Sequence, residues 1–150
     1  MSNEIRFYSV SEEWGELSNF AEFPIRIDGE SWPTSEHYFQ AAKFEDERHR
    51  QAIRRAKTPA IAARLGRDRK SRLRRDWESA KVAVMTTAVE AKFRQHEELR
   101  ELLLSTGTAR LVERAEQDAY WGDGGDGSGK NMLGRILMKV RDRLRNETSR

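Results

Sequence analysis

The chain has 150 residues, of which 37% are hydrophobic and 35% charged, and its formal net charge at pH 7 is +3. This length suits one domain with a real core, so a single domain over residues 1–150 is expected, and four Trp, three Tyr and six Phe argue against disorder. The small net charge argues against nucleic-acid binding by charge alone, and the absence of cysteine excludes disulfides, thiolate zinc sites and a cysteine nucleophile.

Strand-forming segments open the chain. Residues 5–10 are predicted to form a short strand. Residues 23–27 and 30–32 flank Asp28-Gly29, a pair typical of a two-residue hairpin turn. The N-terminal part therefore predicts a small antiparallel sheet.

Helices are predicted for most of the remaining chain. Residues 34–46 are expected to form the first helix and residues 47–56 a second, strongly charged one. Thr58 is a typical N-cap with proline after it, and Gly66 stands where a C-terminal glycine belongs. The later elements are a long helix after Trp77 with Val82, Met85, Val89 and Phe93 at helical spacing, an apolar stripe at Leu99, Leu102 and Leu103, a strand at residues 111–113, a glycine-rich loop at residues 122–129 and a last helix at residues 132–144. The pattern predicts an α+β fold, predominantly helical, in which several helices pack on the small sheet.

The first helix carries three polar side chains on one face. Because an α-helix turns about 100° per residue, Gln40 lies roughly 40° and Lys43 roughly 20° from Glu36 around the axis. A solvated face holds a carboxylate, an amide and an ammonium at no cost, and a cleft that works on a polar small molecule uses the same three. Spacing alone leaves both interpretations open.

Glu36 lies in the first turn of this helix, where a carboxylate complements the helix macrodipole by about 0.3–1 kcal/mol. The dipole favours the ionised form, so it opposes a role as general acid unless burial raises the pKa. An ionised Glu36 would instead stabilise a cationic transition state or orient water. Lys43 is a candidate for electrostatic stabilisation or for a Schiff base to a carbonyl carbon.

Residues 64–77 form an arginine-rich segment that ends in Trp77. Most such segments are solvated surface, but arginine also suits bidentate phosphate binding, and an indole offers a flat surface on which a heterocycle stacks. The short segment suits a phosphorylated, nucleotide-like molecule at least as well as a long polymer.

The glycine-rich loop does not indicate an NTPase. Residues 124–130 match the GxxxxGK part of a P-loop, but Asn131 replaces the Mg²⁺-binding hydroxyl, and the preceding residues are not a buried apolar strand. Asn131 is by its position a candidate N-cap of the last helix. Asp118 suits an acid that holds ribose hydroxyls, and Trp121 suits a wall against a nucleobase. Equally, Asp118 suits a turn aspartate and Trp121 a core tryptophan.

The three histidines show no metal-ligand spacing, so neither a metal nor another cofactor is expected. Residues 1–4 do not begin a signal peptide, and no apolar run is long enough to span a membrane. The sequence predicts no membrane partner and a cytoplasmic location, and it leaves the oligomeric state open.

A set of landmarks runs in order along nearly the whole chain. The first are Phe7-Tyr8, Leu17-Ser18-Asn19-Phe20, Trp32-Pro33-Thr34-Ser35-Glu36-His37-Tyr38-Phe39-Gln40, Lys43-Phe44 and Gly66-Arg67. The later ones are Asp76-Trp77-Glu78, Met85, Lys92-Phe93, Thr106-Gly107, Leu111-Val112-Glu113, Asp118-Ala119-Tyr120-Trp121-Gly122, Asn131, Leu133-Gly134, Leu137-Met138 and Val140-Arg141. On these landmarks the chain resembles the NADAR/YbiA-like family, and in particular its bacterial YbiA-like branch.

The resemblance implies a YbiA-like fold and an N-glycosidase that cleaves the bond between ribose C1′ and nitrogen. For this branch it implies the ribosylamino pyrimidine 5′-phosphates of riboflavin biosynthesis as substrates, and for other members the removal of ADP-ribose from guanine in nucleic acid. It places Glu36 and Trp77 at positions needed for activity, and Lys43 at a lysine that attacks C1′ or stabilises the leaving group. Asp118 is the candidate for orienting water or ribose. The residues expected to bind substrate are Tyr8, Asn19, Phe20, Gln40, Arg67, Trp121, Gly122 and Asn131.

This chemistry also fits the residues by themselves. Cleavage of the C1′–N bond passes through an oxocarbenium-like state that a preorganised carboxylate stabilises, and the leaving nitrogen needs a proton from Lys43 or from a protonated Glu36. Arginines are expected to hold the phosphate. The expected partner is a phosphorylated ribosyl heterocycle or a small molecule containing ADP-ribose, with ADP-ribosylated nucleic acid as an alternative. Two further alternatives are a module that binds nucleotides or ADP-ribose without turnover and plain nucleic-acid binding through residues 64–76.

Overall fold

Two short strand pairs accompany the helices. In the computed structural model, which describes residues 3–148, β1 (Glu4–Phe7) pairs in parallel with β4 (Arg110–Glu113). β2 (Ile25–Ile27) pairs antiparallel with β3 (Glu30–Trp32) across the predicted Asp28-Gly29 turn. The φ angles of 52° and 82° at these two residues suit the type I′ turn that matches the twist of a hairpin. The antiparallel hairpin is confirmed, whereas the strand expected at residues 5–10 ends at Phe7 and belongs to a parallel pair.

The helices confirm the predominantly helical α+β class. They are α1 (Ser35–Ala41), α2 (Glu47–Arg54), α3 (Pro59–Gly66), α4 (Trp77–Gln95), α5 (Glu97–Ser105) and α6 (Met132–Thr148), and one 3-10 turn lies at Gly15–Leu17. None of the helices in this described part of the chain is long and apolar enough to cross a bilayer.

Side chains cap the first three helices at their N-termini. The hydroxyl oxygens of Thr34 and Thr58 accept hydrogen bonds from backbone amides in α1 and α3 at 3.2 and 3.1 Å, and the Asp46 carboxylate accepts one from α2 at 3.0 Å. Each such cap contributes about 1 kcal/mol to helix stability. The predicted start of α3 at Thr58-Pro59 is confirmed.

The first helix is shorter than the predicted range of 34–46. α1 ends at Ala41, and Phe44 already forms an isolated antiparallel bridge with Leu73. The Arg50 guanidinium donates to the carbonyls of Ala41 and Phe44 at 3.0 and 3.3 Å, so the backbone groups that would continue the helix have other partners. Lys43 therefore lies beyond the helix end.

The chain divides into two compact units, one from residues 22–92 and the other from the described parts of residues 1–21 and 93–150. The prediction of a single domain over residues 1–150 stays a prediction. The core of the first unit combines the hairpin, α1–α3 and α4, and its fully buried members are Ile25, Trp32, Ala41, Phe44, Ile53, Ala62 and Ala88. This core fixes α1 against α2 and α3, and so determines which face of α1 can hold polar groups.

The second unit packs α6 against β4 and α5. Its buried apolar side chains include Leu99, Leu103, Leu111, Leu133, Leu137, Val140 and Leu144. Arg141 is 4% exposed, and its guanidinium donates to the Thr106 hydroxyl at 2.9 Å and to the Ala109 carbonyl at 2.8 Å. These bonds tie α6 to the connection between α5 and β4.

Candidate active site

Glu36 and Gln40 form the centre of the polar face of α1. They lie one turn apart, each is 8% exposed, and Gln40 Nε2 donates a hydrogen bond to Glu36 Oε2 at 3.2 Å. This hydrogen bond limits the rotation of the carboxylate. The residues predicted from helical spacing are thus in direct contact.

Lys43 joins this face although it lies outside the helix. Its ammonium sits 5.7 Å from the centroid of the Phe39 ring and makes no hydrogen bond or ion pair with any residue of the described chain. Burial lowers the pKa of Lys43 below its ordinary value of 10.5, the nearby Glu36 carboxylate raises it, and Arg69 and Arg67 lower it further. Lys43 is therefore a half-buried cation with an acidity above that of a surface lysine.

The arginine-rich segment reaches Lys43 through its backbone. Arg74 N donates to the Lys43 carbonyl at 2.8 Å, next to the bridge between Phe44 and Leu73. Near the start of the segment, Arg69 donates to the Gly66 carbonyl at 2.8 Å. These contacts bring the positive charges of Arg67 and Arg69 close enough to shift the pKa of Lys43.

Arg67 was predicted to bind substrate, and the geometry suits that prediction. Its side chain is exposed, and its guanidinium makes no hydrogen bond or ion pair with another described residue. Arg69 was not singled out by the sequence, because nothing in its local pattern distinguishes it from the other arginines of the segment. Its charge beside Lys43 makes it a further candidate for binding an anion.

Trp77 is buried rather than offered as an open stacking surface. It is 6% exposed at the start of α4, and its ring lies 5.2 Å from the Phe39 ring at an interplanar angle of 58°. Phe39 thus contacts both Trp77 and the Lys43 ammonium. The aromatic pair forms an apolar support beneath the cation.

His37, next to Glu36, is a buried neutral histidine. Its two ring nitrogens lie 2.8 Å from the Thr34 hydroxyl and 3.0 Å from the Ala56 carbonyl oxygen. Because a carbonyl only accepts, Nε2 carries the proton and Nδ1 accepts from the hydroxyl. Burial lowers the pKa of His37 below 6.5, against the opposing effect of the Ala56 carbonyl. His37 therefore anchors the first turn of α1.

The remaining predicted site residues belong to the other unit. Tyr8 and Phe20 are 60% and 38% exposed, which is unusual for large aromatic side chains, and Asn19 is buried. Trp121 is half-buried and contacts Tyr120 edge-on at a centroid distance of 4.9 Å. Their part in a common site with Glu36 stays a prediction.

Asp118, Gly122 and Asn131 have structural contacts in this unit. Asp118 Oδ1 accepts from the amides of Tyr120 and Trp121 at 3.0 and 2.8 Å, as in a turn aspartate. A side chain at Gly122 would lie 2.9 Å from the carbonyl oxygens of Glu113 and Asp118, so this position needs glycine for space. Their roles toward a substrate stay predictions.

Asn131 uses its side-chain amide on β4. It donates to the Leu111 carbonyl at 2.9 Å and accepts from the Glu113 amide at 3.0 Å. These bonds go to the strand rather than to α6, so the side chain does not act as the expected N-cap.

Within residues 3–148, no group of three or more His, Asp or Glu side chains is arranged to hold a metal ion. The structure brings together the Glu36 carboxylate, the Gln40 amide and the Lys43 ammonium, and the charges of Arg67 and Arg69 lie near Lys43. Such a set suits binding of an anionic, polar molecule and acid–base or electrostatic catalysis on it.

The chain is similar to known proteins along nearly its whole length. A sequence model described as the NADAR domain matches residues 6–145. The chain is 60% identical over 140 residues to N-glycosidase YbiA of Escherichia coli (strain K12), covering 93% of this chain and 88% of that protein. It is 46% identical over 144 residues to a riboflavin biosynthesis protein of Vibrio vulnificus, covering 96% of this chain and 39% of that protein. The NMR structure of Escherichia coli YbiA superimposes with a TM-score of 0.91 at 58% identity, over 99% of this chain and 89% of that one.

Proposed function

The chain belongs to the NADAR domain family and is an N-glycosidase, and we propose that it hydrolyses the C1′–N bond of ribosylamino pyrimidine 5′-phosphates. The name of the Vibrio vulnificus relative, a riboflavin biosynthesis protein, supports a substrate from that route. Water would add its hydroxyl to C1′ and a proton to the departing nitrogen. The products would be ribose 5-phosphate and the free aminopyrimidine.

The observation that carries this proposal is that the Glu36 carboxylate, held by Gln40, lies near the Lys43 ammonium, which makes no ion pair with any residue that the structure describes. Gln40 holds Glu36 at 3.2 Å, and the Lys43 ammonium nearby has no ion-pair partner among the described residues. A binding surface would gain little from a half-buried lysine of lowered pKa. A glycosidase uses both groups.

Glu36 is the candidate for stabilising the positive charge that develops during the reaction. Cleavage of the C1′–N bond develops positive charge on C1′ and the ring oxygen, and an ionised carboxylate fixed beside it stabilises that charge. The hydrogen bond from Gln40 fixes the orientation of this carboxylate. We therefore assign Glu36 to electrostatic stabilisation of the oxocarbenium-like state or to orientation of the attacking water.

Lys43 is the candidate for donating a proton to the leaving nitrogen or for attacking C1′ of the sugar. A lowered pKa makes the ammonium a stronger proton donor toward the departing nitrogen and also raises the fraction of neutral amine that can attack C1′. In the second route the amine would form a covalent bond to C1′ that water then hydrolyses. Both routes restore Lys43 at the end of the cycle.

The substrate phosphate is assigned to Arg67 and Arg69. Both guanidinium groups act on the pKa of Lys43 through their charge, and Arg67 has no partner among the described residues. A phosphate held there would contribute binding energy remote from C1′, which supports the reaction at that atom. We expect the reaction to take place in the cytoplasm.

Product analysis tests the proposal. The purified protein should release ribose 5-phosphate from a ribosylamino pyrimidine 5′-phosphate, and Glu36→Gln should lower kcat by about 10²- to 10³-fold, the usual effect of removing one preorganised electrostatic group. Glu97→Gln is the matched control, because Glu97 is an exposed first-turn glutamate of α5. It should retain wild-type activity.

The same assay separates the alternatives. An ADP-ribosylated guanine oligonucleotide is incubated in parallel and its products are analysed. Release of ADP-ribose without any ribose 5-phosphate would replace the proposed substrate with ADP-ribosylated guanine. Binding of ADP-ribose with turnover of neither substrate would contradict the glycosidase and favour a binding module.

A further inference from the structure

Gly66 is a glycine whose backbone does not require one. It is the last residue of α3, and its φ lies outside the left-handed region that favours glycine. The expected role as a helix-terminating glycine therefore does not explain it. Space does, because a Cβ atom at this position would overlap Gln40 Oε1 and lie 2.7 Å from Gln40 Cδ.

The two ends of the Gln40 side-chain amide are placed differently. The nitrogen makes a hydrogen bond, and the oxygen packs against Gly66. Nε2 donates to Glu36 Oε2 at 3.2 Å, whereas Oε1 is buried without a hydrogen-bond partner in the described chain. A buried oxygen without a donor is unusual in native proteins and calls for an explanation. Here the amide is turned so that its donor end meets the carboxylate, which leaves its oxygen against Gly66.

We propose that Gly66 is a positioning residue of the glycosidase site, because its missing side chain leaves the space in which Gln40 holds the Glu36 carboxylate. Gly66 acts through Gln40, by leaving space for its side-chain amide. This inference rests on the proposed function for its kinetic consequence, while the steric relation between Gly66 and Gln40 exists without it.

Stability and activity should respond to Gly66→Ala in opposite directions. Alanine is a better helix former than glycine, so at an ordinary helical φ it favours α3. The new methyl group displaces the Gln40 amide, and Glu36 loses the hydrogen bond from Gln40. A misplacement of about 1 Å in a catalytic group can lower the rate by about 100-fold.

The kinetic test uses a double-mutant cycle of wild type, Gly66→Ala, Gln40→Ala and Gly66→Ala/Gln40→Ala. Gly66→Ala should lower kcat by about 10- to 100-fold and leave KM near the wild-type value, since the lost interaction acts in the transition state. In the Gln40→Ala background, Gly66→Ala should cause no further fall in kcat. An equal fall in both backgrounds, or wild-type kcat in Gly66→Ala, would overturn the inference.

A readout without substrate separates this inference from the proposed function. The side-chain amide NMR signals of Gln40 should shift in Gly66→Ala relative to wild type, while thermal unfolding occurs at or above the wild-type temperature. Unchanged Gln40 signals would overturn the inference even in a protein that turns over no substrate. If Gly66→Ala alone fails to fold, folding restored by the added Gln40→Ala would support the steric relation, and no restoration would contradict it.

Discussion

The acidity of Lys43 is decided by its surroundings rather than by its position in the chain. Burial and the charges of Arg69 and Arg67 disfavour the ammonium, and the Glu36 carboxylate favours it. The Phe39 ring lies beneath the ammonium at 5.7 Å and offers only a weak attraction in place of a salt bridge. The two opposing sets of charges can be separated by substitution.

We predict that Glu36→Gln lowers the pKa of Lys43 below its wild-type value and that Arg69→Gln raises it. The first change removes a stabilising negative charge, and the second removes a repelling positive charge. The measurement is an NMR titration of the Lys43 side chain in the folded protein. The interpretation is wrong if both substitutions shift the titration in the same direction.

The neutral state of His37 predicts a loss of stability in acid. Its pKa is lower in the folded protein than the ordinary 6.5, so as the pH falls the unfolded chain binds the proton first. The contribution of His37 is complete above pH 6.5 and declines as the pH falls through the lowered pKa of the folded state. Urea unfolding of wild type and His37→Gln at about pH 8 and about pH 5 measures it, and the variant should lose less stability between them. Equal losses in the two proteins would rule out this contribution.

At the scale of elements, α6 and β4 approach so closely that only glycine fits between them. A Cβ atom at Gly134, in the first turn of α6, would overlap the Leu111 carbonyl oxygen and lie 2.6 Å from Asn131 Oδ1. Asn131 also uses both ends of its amide on the β4 backbone. The start of α6 is thus fixed to the strand by space and by hydrogen bonds together.

Gly134→Ala should therefore lower the free energy of unfolding by about 1–3 kcal/mol, the usual effect of overpacking against a rigid backbone. The contrast with Gly66 is physical, because the obstacle at Gly66 is a movable side chain and at Gly134 a carbonyl of the strand. Urea unfolding checks the prediction, with Lys139→Ala at an exposed position of α6 as the control. An unfolding curve of Gly134→Ala that coincides with that of the control would contradict the close approach.

At the scale of the whole molecule, positive and negative charges nearly balance. The 28 basic and 25 acidic residues give a net charge of +3. Within residues 64–76, the charge of Arg74 is also neutralised locally by an ion pair with Asp76 at 2.6 Å. Binding of unmodified nucleic acid depends on many simultaneous phosphate contacts. The charges of Arg67 and Arg69 beside Lys43 form a small cluster, which suits a single phosphate group better than a long polymer.

We predict no saturable binding of an unmodified single-stranded oligonucleotide at about 0.15 M salt, where exposed charges are largely screened. Fluorescence anisotropy of a labelled oligonucleotide measures it. Tight binding whose affinity falls steeply with added salt would instead support the alternative of plain nucleic-acid binding through residues 64–76.

Much of the local structure was predictable from short stretches of sequence. Asp28-Gly29 predicted the hairpin, and Thr58-Pro59 predicted the start of α3, because turns and caps depend on neighbours within a few residues. The predicted length of α1 was wrong, since its end is set by Leu73 and Arg50, which no local pattern connects to it. Helical spacing nevertheless correctly predicted that Glu36 and Gln40 lie on the same face of α1, where they form a hydrogen bond.

The sequence by itself determined the fold class, the family and the polar groups of α1 as the candidate site. Only the tertiary structure decided that Lys43 reaches this site from beyond the helix, that Arg69 acts on its pKa, and that Gly66 is small because of Gln40. The physical reason is the range of the forces involved. Backbone preferences act between neighbours in the chain, whereas burial, Coulomb interactions and excluded volume act between neighbours in space.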